Sequence, residues 1–398
     1  MKEKQPLAIA GGRPVRAAFL PYARQTVDEE DIRGVVDALR SDWLTTGPVV
    51  ERYEAAFAEA VGARHAVALS SGTAALHAAV FAAGLGPGDE AITSPLTFAA
   101  TANAVLYQGA RPVFADVEPD TLTIDPAAVA ACVTPRTRAV LPVDYAGHPA
   151  DYDALRALAA RHGLAIIADA CHALGATRRG VPVGRLADLT VFSTHPAKHV
   201  TTGEGGIVVT DDADAARRLR LFRNHGITTE TRERLGQSAY AYEMVALGYN
   251  YRITDVQCAL GLSQLAKRGP WLARRRAIAT RYAEAFRNLK EIQPLAVREA
   301  VEPAWHIYVI RLALDRLAVD RDAVFQALRA EGIGVNVHYI PVPWHPYYEG
   351  LGYRRGAWPV AEGAFPRLLT LPLFPGMTDA DVGDVVAAVS KVLEAYRR

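Results

Sequence analysis

Residues 164–206 read LAIIADACHALGATRRGVPVGRLADLTVFSTHPAKHVTTGEGG. This stretch contains two short apolar runs, residues 164–168 and 190–192, with the length and composition of buried strands. Asp169 follows the first run directly, and Lys198 follows the second after a short loop. Because ligands of parallel sheets bind at the carboxyl ends of the strands, we expect Asp169 and Lys198 to lie at the same edge of a sheet.

The same alternation of apolar runs and helical patterns extends over residues 66–210. It predicts an α/β fold with a mostly parallel sheet flanked by helices. The other strands are predicted at residues 67–69, 91–93, 112–114 and 139–141, and helices at residues 73–83, 99–108 and 152–162.

After Asp255 the pattern changes to longer helices and fewer strands. We expect a large domain over residues 1–260, including the N-terminal segment, and a small α+β domain over residues 261–398. Helices are predicted at residues 254–265, 270–289, 320–331 and 379–396, strands at residues 307–312 and 335–338, and a loop at residues 341–359.

The composition is that of a folded globular protein with almost balanced charge. The 398 residues include 44 basic and 43 acidic ones, so no overall field favours nucleic acid or an anionic membrane. The uncharged residues 66–88 fit a strand, a turn and a buried helix better than a membrane span. Three widely spaced cysteines fit neither disulfides nor a metal cluster, and no export signal is apparent. We therefore predict a cytoplasmic protein without a metal site.

Three features at the expected sheet edge point to one cofactor. The turn Ser70-Ser71-Gly72-Thr73 precedes a helix and can bind a phosphate, although it can also be an ordinary helix cap. Asp169 can pair with the pyridine nitrogen of pyridoxal 5′-phosphate (PLP), or it can cap a helix. Lys198 can form an imine with an aldehyde, although most lysines are solvated surface charges. The three features together are far more specific than any one of them.

A series of motifs resembles the DegT/DnrJ/EryC1/StrS sugar aminotransferases over nearly the whole chain, in the order and at the spacing of that family. These motifs are residues 43–48 (WLTTGP), 71–76 (SGTAAL), 97–103 (TFAATAN), 143–147 (VDYAG), 169–173 (DACHA), 193–198 (STHPAK) and 248–252 (GYNYR). The resemblance implies a fold-type-I, PLP-dependent transaminase that works as a homodimer with shared active sites.

By the same resemblance, Lys198 binds PLP covalently and then carries protons, and Asp169 binds the pyridine nitrogen. Gly72, Thr73 and Ser193 bind the phosphate. Thr194 departs from the family pattern, which often has an aromatic residue there, and this affects packing more than chemistry.

Three further residues receive roles from the resemblance that compete with structural interpretations. Phe98 stacks on the cofactor ring, or it is a core phenylalanine. His172 lines the other side of the ring and is counted with the catalytic residues, or it is a satisfied, partly buried histidine. Asn250 reaches the phosphate of the partner's cofactor, or it belongs to an ordinary turn.

The substrate is expected to be a nucleotide-linked keto-sugar, with L-glutamate as the amino donor. Residues 335–342 and 144–147 resemble the branch that aminates C4 of UDP-2-acetamido-2,6-dideoxy-β-L-arabino-hexos-4-ulose in pseudaminic acid biosynthesis. Thr46, His338 and Tyr339 are candidate substrate contacts, although the last two can simply finish a strand. Other 4-keto or 3-keto sugars, a PLP-dependent dehydratase and a PLP-binding regulator are the alternatives. Lys198 favours amino transfer, because the dehydratases carry histidine there.

Overall fold

The computed structural model describes residues 6–229 and 241–398 of the chain. Within these residues the strands are β1 (His65–Leu69), β2 (Glu90–Thr93), β3 (Arg111–Phe114), β4 (Thr137–Leu141), β5 (Ala165–Asp169), β6 (Thr177–Arg178), β7 (Val181–Pro182), β8 (Leu189–Ser193), β9 (Gly206–Thr210), β10 (Ile292–Pro294), β11 (Val301–Glu302), β12 (Tyr308–Leu312) and β13 (Leu368–Leu371).

The longer helices of the same residues are α1 (Glu29–Leu39), α2 (Pro48–Val61), α3 (Gly72–Ala82), α4 (Ala99–Tyr107), α5 (Pro126–Cys132), α6 (Tyr152–His162), α7 (Ala213–Arg223), α8 (Asp255–Ala266), α9 (Arg268–Phe286), α10 (Arg321–Ala330), α11 (Pro346–Gly350), α12 (Pro359–Ala364) and α13 (Asp379–Tyr396). Several begin at side-chain caps, such as Thr254 before α8 and Thr378 before α13.

The largest sheet of the described residues has seven strands in the order β1-β9-β8-β5-β4-β2-β3. Only β9 runs antiparallel to its neighbours in this sheet. In its register, Gly206 of β9 lies opposite both Leu69 of β1 and Ser193 of β8. The insertion of β9 therefore holds the turn after β1 and the loop after β8 at one edge of the sheet.

Successive residues of each strand face opposite sides of the sheet, as the strand period requires. In β1, Ala66 and Ala68 join a core with α2 and α6, whereas Val67 and Leu69 join a second core with α3 and α7. The sheet is thus covered by helices on both faces, which explains why its strands are apolar without alternation.

A buried ion pair is hydrogen-bonded to the backbone of the edge strand β1. Glu54 of α2 accepts a hydrogen bond from the Ala68 amide at 2.8 Å, and Arg223 of α7 donates to the Ala68 carbonyl at 2.8 Å. Nη1 of Arg223 also lies 2.5 Å from Oε1 of Glu54. These contacts satisfy backbone groups that an exposed edge would leave open to another chain.

A separate core, away from both faces of the large sheet, forms around the three-stranded sheet β10-β12-β13 and helices α9, α10 and α13. Leu7 and Leu20 from the start of the chain belong to this core. The division of the chain at residue 260 stays a prediction, and this packing brings the N-terminal segment against C-terminal elements.

Two C-terminal predictions need correction in detail. The strand predicted at residues 335–338 is one isolated bridge between Asn336 and Thr370. The Asn336 side chain accepts a hydrogen bond from the Val337 amide at 2.8 Å, which competes with further pairing. The loop predicted at residues 341–359 contains the short helix α11.

Candidate active site

The carboxyl ends of β1, β5 and β8 bring the predicted residues to one edge of the sheet. The turn after β1 starts α3, where Ser71 is the N-cap and accepts a hydrogen bond from the Ala74 amide at 3.1 Å. A methyl group at Gly72 would lie 3.0 Å from both Cβ and Oγ of Ser193. Gly72 therefore allows two loops to approach each other beside the positive end of α3.

Asp169 ends β5 as a buried carboxylate. Its Oδ2 accepts a hydrogen bond from the Thr101 hydroxyl at 2.6 Å, and its Oδ1 accepts one from the Cys171 amide at 3.2 Å. Turns rather than a helix follow Asp169, so the helix-cap interpretation is wrong. A carboxylate buried in this way is stabilised by a cationic partner, which matches a protonated pyridine nitrogen.

Lys198 is partly buried in the loop after β8, where its backbone amide donates to the His195 carbonyl at 2.8 Å. Burial lowers the pKa of its amine, while the nearby Cys171 and Asp169 act in the opposite direction. A lowered pKa favours the neutral amine, which is the form that attacks an aldehyde carbon.

His172 lies three residues after Asp169 and is also buried. Its Nε2 lies 2.9 Å from the Tyr339 hydroxyl, and its ring centroid lies 4.4 Å from that of His306. Burial holds the pKa values of His172 and His306 well below the ordinary range, so both rings are neutral near pH 7.

Phe98 precedes α4 and exposes 61% of its surface, so it is not a core phenylalanine in this chain. Its ring centroid lies 6.2 Å from that of Tyr339, which in turn contacts His172. Phe98, His172 and Tyr339 are thereby neighbours, although they come from distant parts of the sequence.

Three other predicted residues either lie away from Phe98, His172 and Tyr339 or have their side chains bound to other residues. Thr46 lines a different cavity of about 650 Å³ together with Asn224 and Arg252. Asn250 is exposed and forms an isolated bridge with Asn224. The His338 side chain is buried, with its Nδ1 2.8 Å from the Thr370 hydroxyl.

Sequence reasoning missed two residues of this group. Thr101 lies inside the motif at residues 97–103, and its position one helical turn after Phe98 was a usable signal. His306 lies more than 100 residues from His172 in sequence, in a strand-like context that gives no indication of its neighbour. Its place next to His172 follows from tertiary packing alone.

The described residues pass two structural tests for holding PLP. A Cβ at Gly72 would lie 3.0 Å from the Ser193 hydroxyl oxygen, so the absence of a side chain brings the N-terminus of α3 and that hydroxyl close enough to bind the same phosphate. The buried Nδ1 of His172 has no hydrogen-bond partner within residues 6–229 and 241–398, so a bound group with acceptor oxygens would satisfy it. Lys198, Asp169, Gly72, Thr73 and Ser193 are the residues that would hold the cofactor.

Among residues 6–229 and 241–398, none of the helices combines the length and the apolar character that a membrane span requires.

Comparison with known proteins gives consistent matches over most of the chain. Residues 25–390 match the model of the DegT/DnrJ/EryC1/StrS aminotransferase family. The spore coat polysaccharide biosynthesis protein SpsC of Bacillus subtilis is 43% identical over 382 residues, which are 95% of this chain and 98% of SpsC.

Two solved structures are similar throughout their length. The putative sugar aminotransferase Spr1654 of Streptococcus pneumoniae, in its PMP form, has a TM-score of 0.89 and 31% identity, covering 94% of this chain and 99% of its own. It has also been solved in a PLP form. Helicobacter pylori PseC, an aminotransferase of pseudaminic acid biosynthesis, has a TM-score of 0.88 and 31% identity, covering 95% of this chain and all of PseC.

Proposed function

The chain belongs to the DegT/DnrJ/EryC1/StrS aminotransferase family, and on that premise we propose that it transfers an amino group from L-glutamate to a nucleotide-linked keto-sugar. The family, the fold type, the enzyme class and the PLP cofactor predicted from the sequence are confirmed. The protein is a PLP-dependent sugar aminotransferase. The sugar, the donor, the residue roles and the dimer are the content of the proposal.

The observation that carries the proposal is the partly buried amine of Lys198 beside the buried carboxylate of Asp169. PLP, when bound, supplies an electron sink for the carbon that loses a proton. In our proposal Lys198 Nζ anchors the cofactor and moves that proton, and Asp169 keeps the pyridine nitrogen protonated. Phe98 and His172 enclose the ring and exclude water.

The phosphate is assigned to the N-terminus of α3, where Gly72 and Thr73 begin the helix close to Ser193. Asn250 is assigned to the phosphate of a second subunit. Several apolar side chains in residues 242–249 support such a partner surface, because Tyr242, Met244 and Leu247 expose 58%, 65% and 76% of their surfaces. A homodimer with shared active sites is therefore part of the proposal.

The sugar we propose is UDP-2-acetamido-2,6-dideoxy-β-L-arabino-hexos-4-ulose, aminated at C4, with Thr46, His338 and Tyr339 as contacts. Support comes from the motifs at residues 144–147 and 335–342 and from the similarity to PseC. A cytoplasmic location stays a prediction that rests on the sequence.

The test is a panel of keto-sugar nucleotides incubated with the PLP-loaded protein and L-glutamate, with NMR to locate the new amine. We expect the 4-keto sugar above to be converted fastest, and the absorbance of the bound cofactor to change when glutamate is added alone. Preference for a 3-keto sugar would overturn the substrate assignment. A loss of a sugar hydroxyl without amine formation would indicate a dehydratase, and no response to any amino donor would indicate a PLP-binding regulator.

A further inference from the structure

Tyr339 lies where the C-terminal part of the chain meets the edge of the large sheet. Its hydroxyl lies 2.9 Å from Nε2 of His172, and the two rings are nearly parallel, 24° apart with centroids separated by 6.0 Å. The two residues are 167 positions apart in sequence. The contact therefore depends on the packing of the two parts of the chain and not on local structure.

The backbone on both sides of Tyr339 is tied to the large sheet. The Tyr145 hydroxyl donates to the carbonyl of His338, and the Val342 amide donates to the carbonyl of Pro95 at 2.8 Å. His338 is fixed in addition by its contact with Thr370. These bonds fix the path of the segment, so the position of the phenol is set before any substrate binds.

The imidazole of His172 has little else to orient it. Its Nδ1 is buried without a hydrogen-bond partner among the described residues, and its other close neighbour is the neutral ring of His306. The planes of these two imidazoles are tilted by 37°, and such a ring contact tolerates rotation of the His172 ring, whereas a hydrogen bond fixes the ring. Burial raises the pKa of the Tyr339 phenol well above its usual value, so this group keeps its hydrogen and can donate it.

We propose that Tyr339 is a positioning residue that donates a hydrogen bond to Nε2 of His172 and so fixes the orientation and the tautomer of that ring. The proposal rests on the proposed function in one respect, the place of His172 beside the cofactor. The hydrogen of His172 is then carried by Nδ1 and faces away from Tyr339. This role is separate from a direct contact between Tyr339 and the sugar.

The two roles predict different kinetics. A residue that only contacts the sugar changes the KM for the sugar and leaves the reaction with glutamate alone unaffected. A residue that orients His172 acts in both halves of the reaction, because the cofactor takes part in both. Misplacement of a group beside the reacting atoms costs about ten- to a hundredfold in rate.

The experiment uses the PLP-loaded protein labelled with 15N-histidine, in which two-bond proton–nitrogen spectra report the tautomer of each ring. The His172 signals are assigned from their loss in His172→Gln. In the native protein we expect hydrogen on Nδ1 of His172 and the shift of a hydrogen-bonded acceptor at Nε2. In Tyr339→Phe the acceptor shift should be lost, and the reaction with glutamate alone should slow by about ten- to a hundredfold.

Tyr347→Phe is the matched control, because Tyr347 follows in the same segment and exposes 67% of its surface. It should leave both the spectrum and the rate unchanged. Hydrogen on Nε2 of native His172, unchanged His172 signals in Tyr339→Phe, or a defect confined to the KM for the sugar would each overturn the proposal. The tautomer in the native protein decides the question even if Tyr339→Phe does not fold. If no amino donor reacts with the native protein, the proposed function fails, while the spectra still test the bond.

Discussion

At the scale of single residues, the proposed amino transfer depends on the burial of Lys198, which lowers the pKa of its amine. We predict that Lys198→Ala abolishes amino transfer and leaves the fold intact, because the variant loses the group that in our proposal anchors the cofactor and moves the proton. Far-UV circular dichroism should be unchanged. Borohydride reduction followed by denaturing mass spectrometry should show covalently bound cofactor in the native protein and none in the variant.

The matched control for this variant is Lys290→Ala, which removes an exposed lysine after α9. It should keep both the covalent cofactor and the rate. If Lys198→Ala retained turnover within about tenfold of the native rate, another group would have to be the anchor.

Asp169 and Thr101 form a pair whose members can be tested separately. We expect Asp169→Asn to lower the rate by at least about a hundredfold, because a neutral amide does not stabilise a protonated ring nitrogen as a carboxylate does. Thr101→Val should have a smaller effect, about tenfold, because it removes only the 2.6 Å hydrogen bond to Oδ2.

Thr101→Ser is the control, since it keeps the hydroxyl and should keep most of the rate. The comparison is made by single-turnover kinetics with glutamate, together with the affinity for PLP, which should fall less than the rate. A nearly native rate in Asp169→Asn would mean that a different residue protonates the cofactor.

At the scale of structural elements, His77 connects helix α3 with the end of helix α4 and with the segment before helix α8. It lies on α3, its Nδ1 is 3.1 Å from the Tyr251 hydroxyl, and its Nε2 is 2.7 Å from the Gln108 side chain that follows α4. Burial lowers its pKa from 6.5 to about 4. Between these two pH values the unfolded chain binds a proton that the folded protein excludes, so stability falls as the pH falls through this range.

The contribution of His77 to the free energy of unfolding is at most about 3.5 kcal/mol, since its pKa falls from 6.5 to about 4 and one pKa unit corresponds to about 1.4 kcal/mol. We predict that the urea midpoint of the native protein decreases from about pH 7 to about pH 5, and that His77→Gln decreases less. His162→Gln, which changes an exposed histidine at the end of α6, should keep the full decrease. An equal decrease in His77→Gln would show that the other buried histidines account for it.

Helices and strands whose apolar residues recur at a regular helical or strand spacing were predictable from the sequence. Helix α13 has the predicted bounds, residues 379–396, because its Thr378 cap and its apolar spacing agree. Neither strand β9 nor its antiparallel insertion was predicted, and its apolar residues 207–209 do not indicate the direction in which the strand pairs. Pairing direction is set by partners distant in sequence, which a local pattern does not contain.

The candidate site was predictable only where a residue ends a strand or follows it after a turn or a short loop. The neighbourhood of Asp169 and Lys198, and that of Gly72 and Ser193, could be foreseen because strand ends converge. The contact between His172 and Tyr339 could not be foreseen, because it joins parts of the chain whose packing no short motif encodes. Their roles toward cofactor and substrate stay predictions.

At the scale of the whole molecule, the proposed shared site can be tested by mixing subunits. Lys198→Ala and Asn250→Asp should each be inactive, the second because a negative charge repels the cofactor phosphate. If Asn250 serves the partner, one site of a mixed dimer carries both lesions and the other carries neither. Activity should then return to at most about half of the native value per dimer.

The alternative, that Asn250 acts within its own chain, also has a structural basis. The carbonyl of the next residue, Tyr251, accepts a hydrogen bond from the Ser70 amide of the same chain at 2.8 Å. Asn250, the residue before Tyr251, therefore also lies near the turn at residues 70–73 of its own chain, which is the proposed phosphate site. No recovery of activity, despite exchange of subunits shown by native mass spectrometry, would assign Asn250 to its own chain. Asn250→Ala alone should weaken PLP binding by about 1.5–3 kcal/mol.

The position of β9 between β1 and β8 limits the order in which parts of the chain can fold while it is being synthesised. Strand β1 cannot pair until residues 206–210 have been made, and Leu7 and Leu20 must wait for partners as late as residue 393. Such long-range closure is slow and leaves apolar surface uncovered on the ribosome. Leu7 and Leu20 precede every strand in the sequence and are therefore among the last of the described residues to be buried.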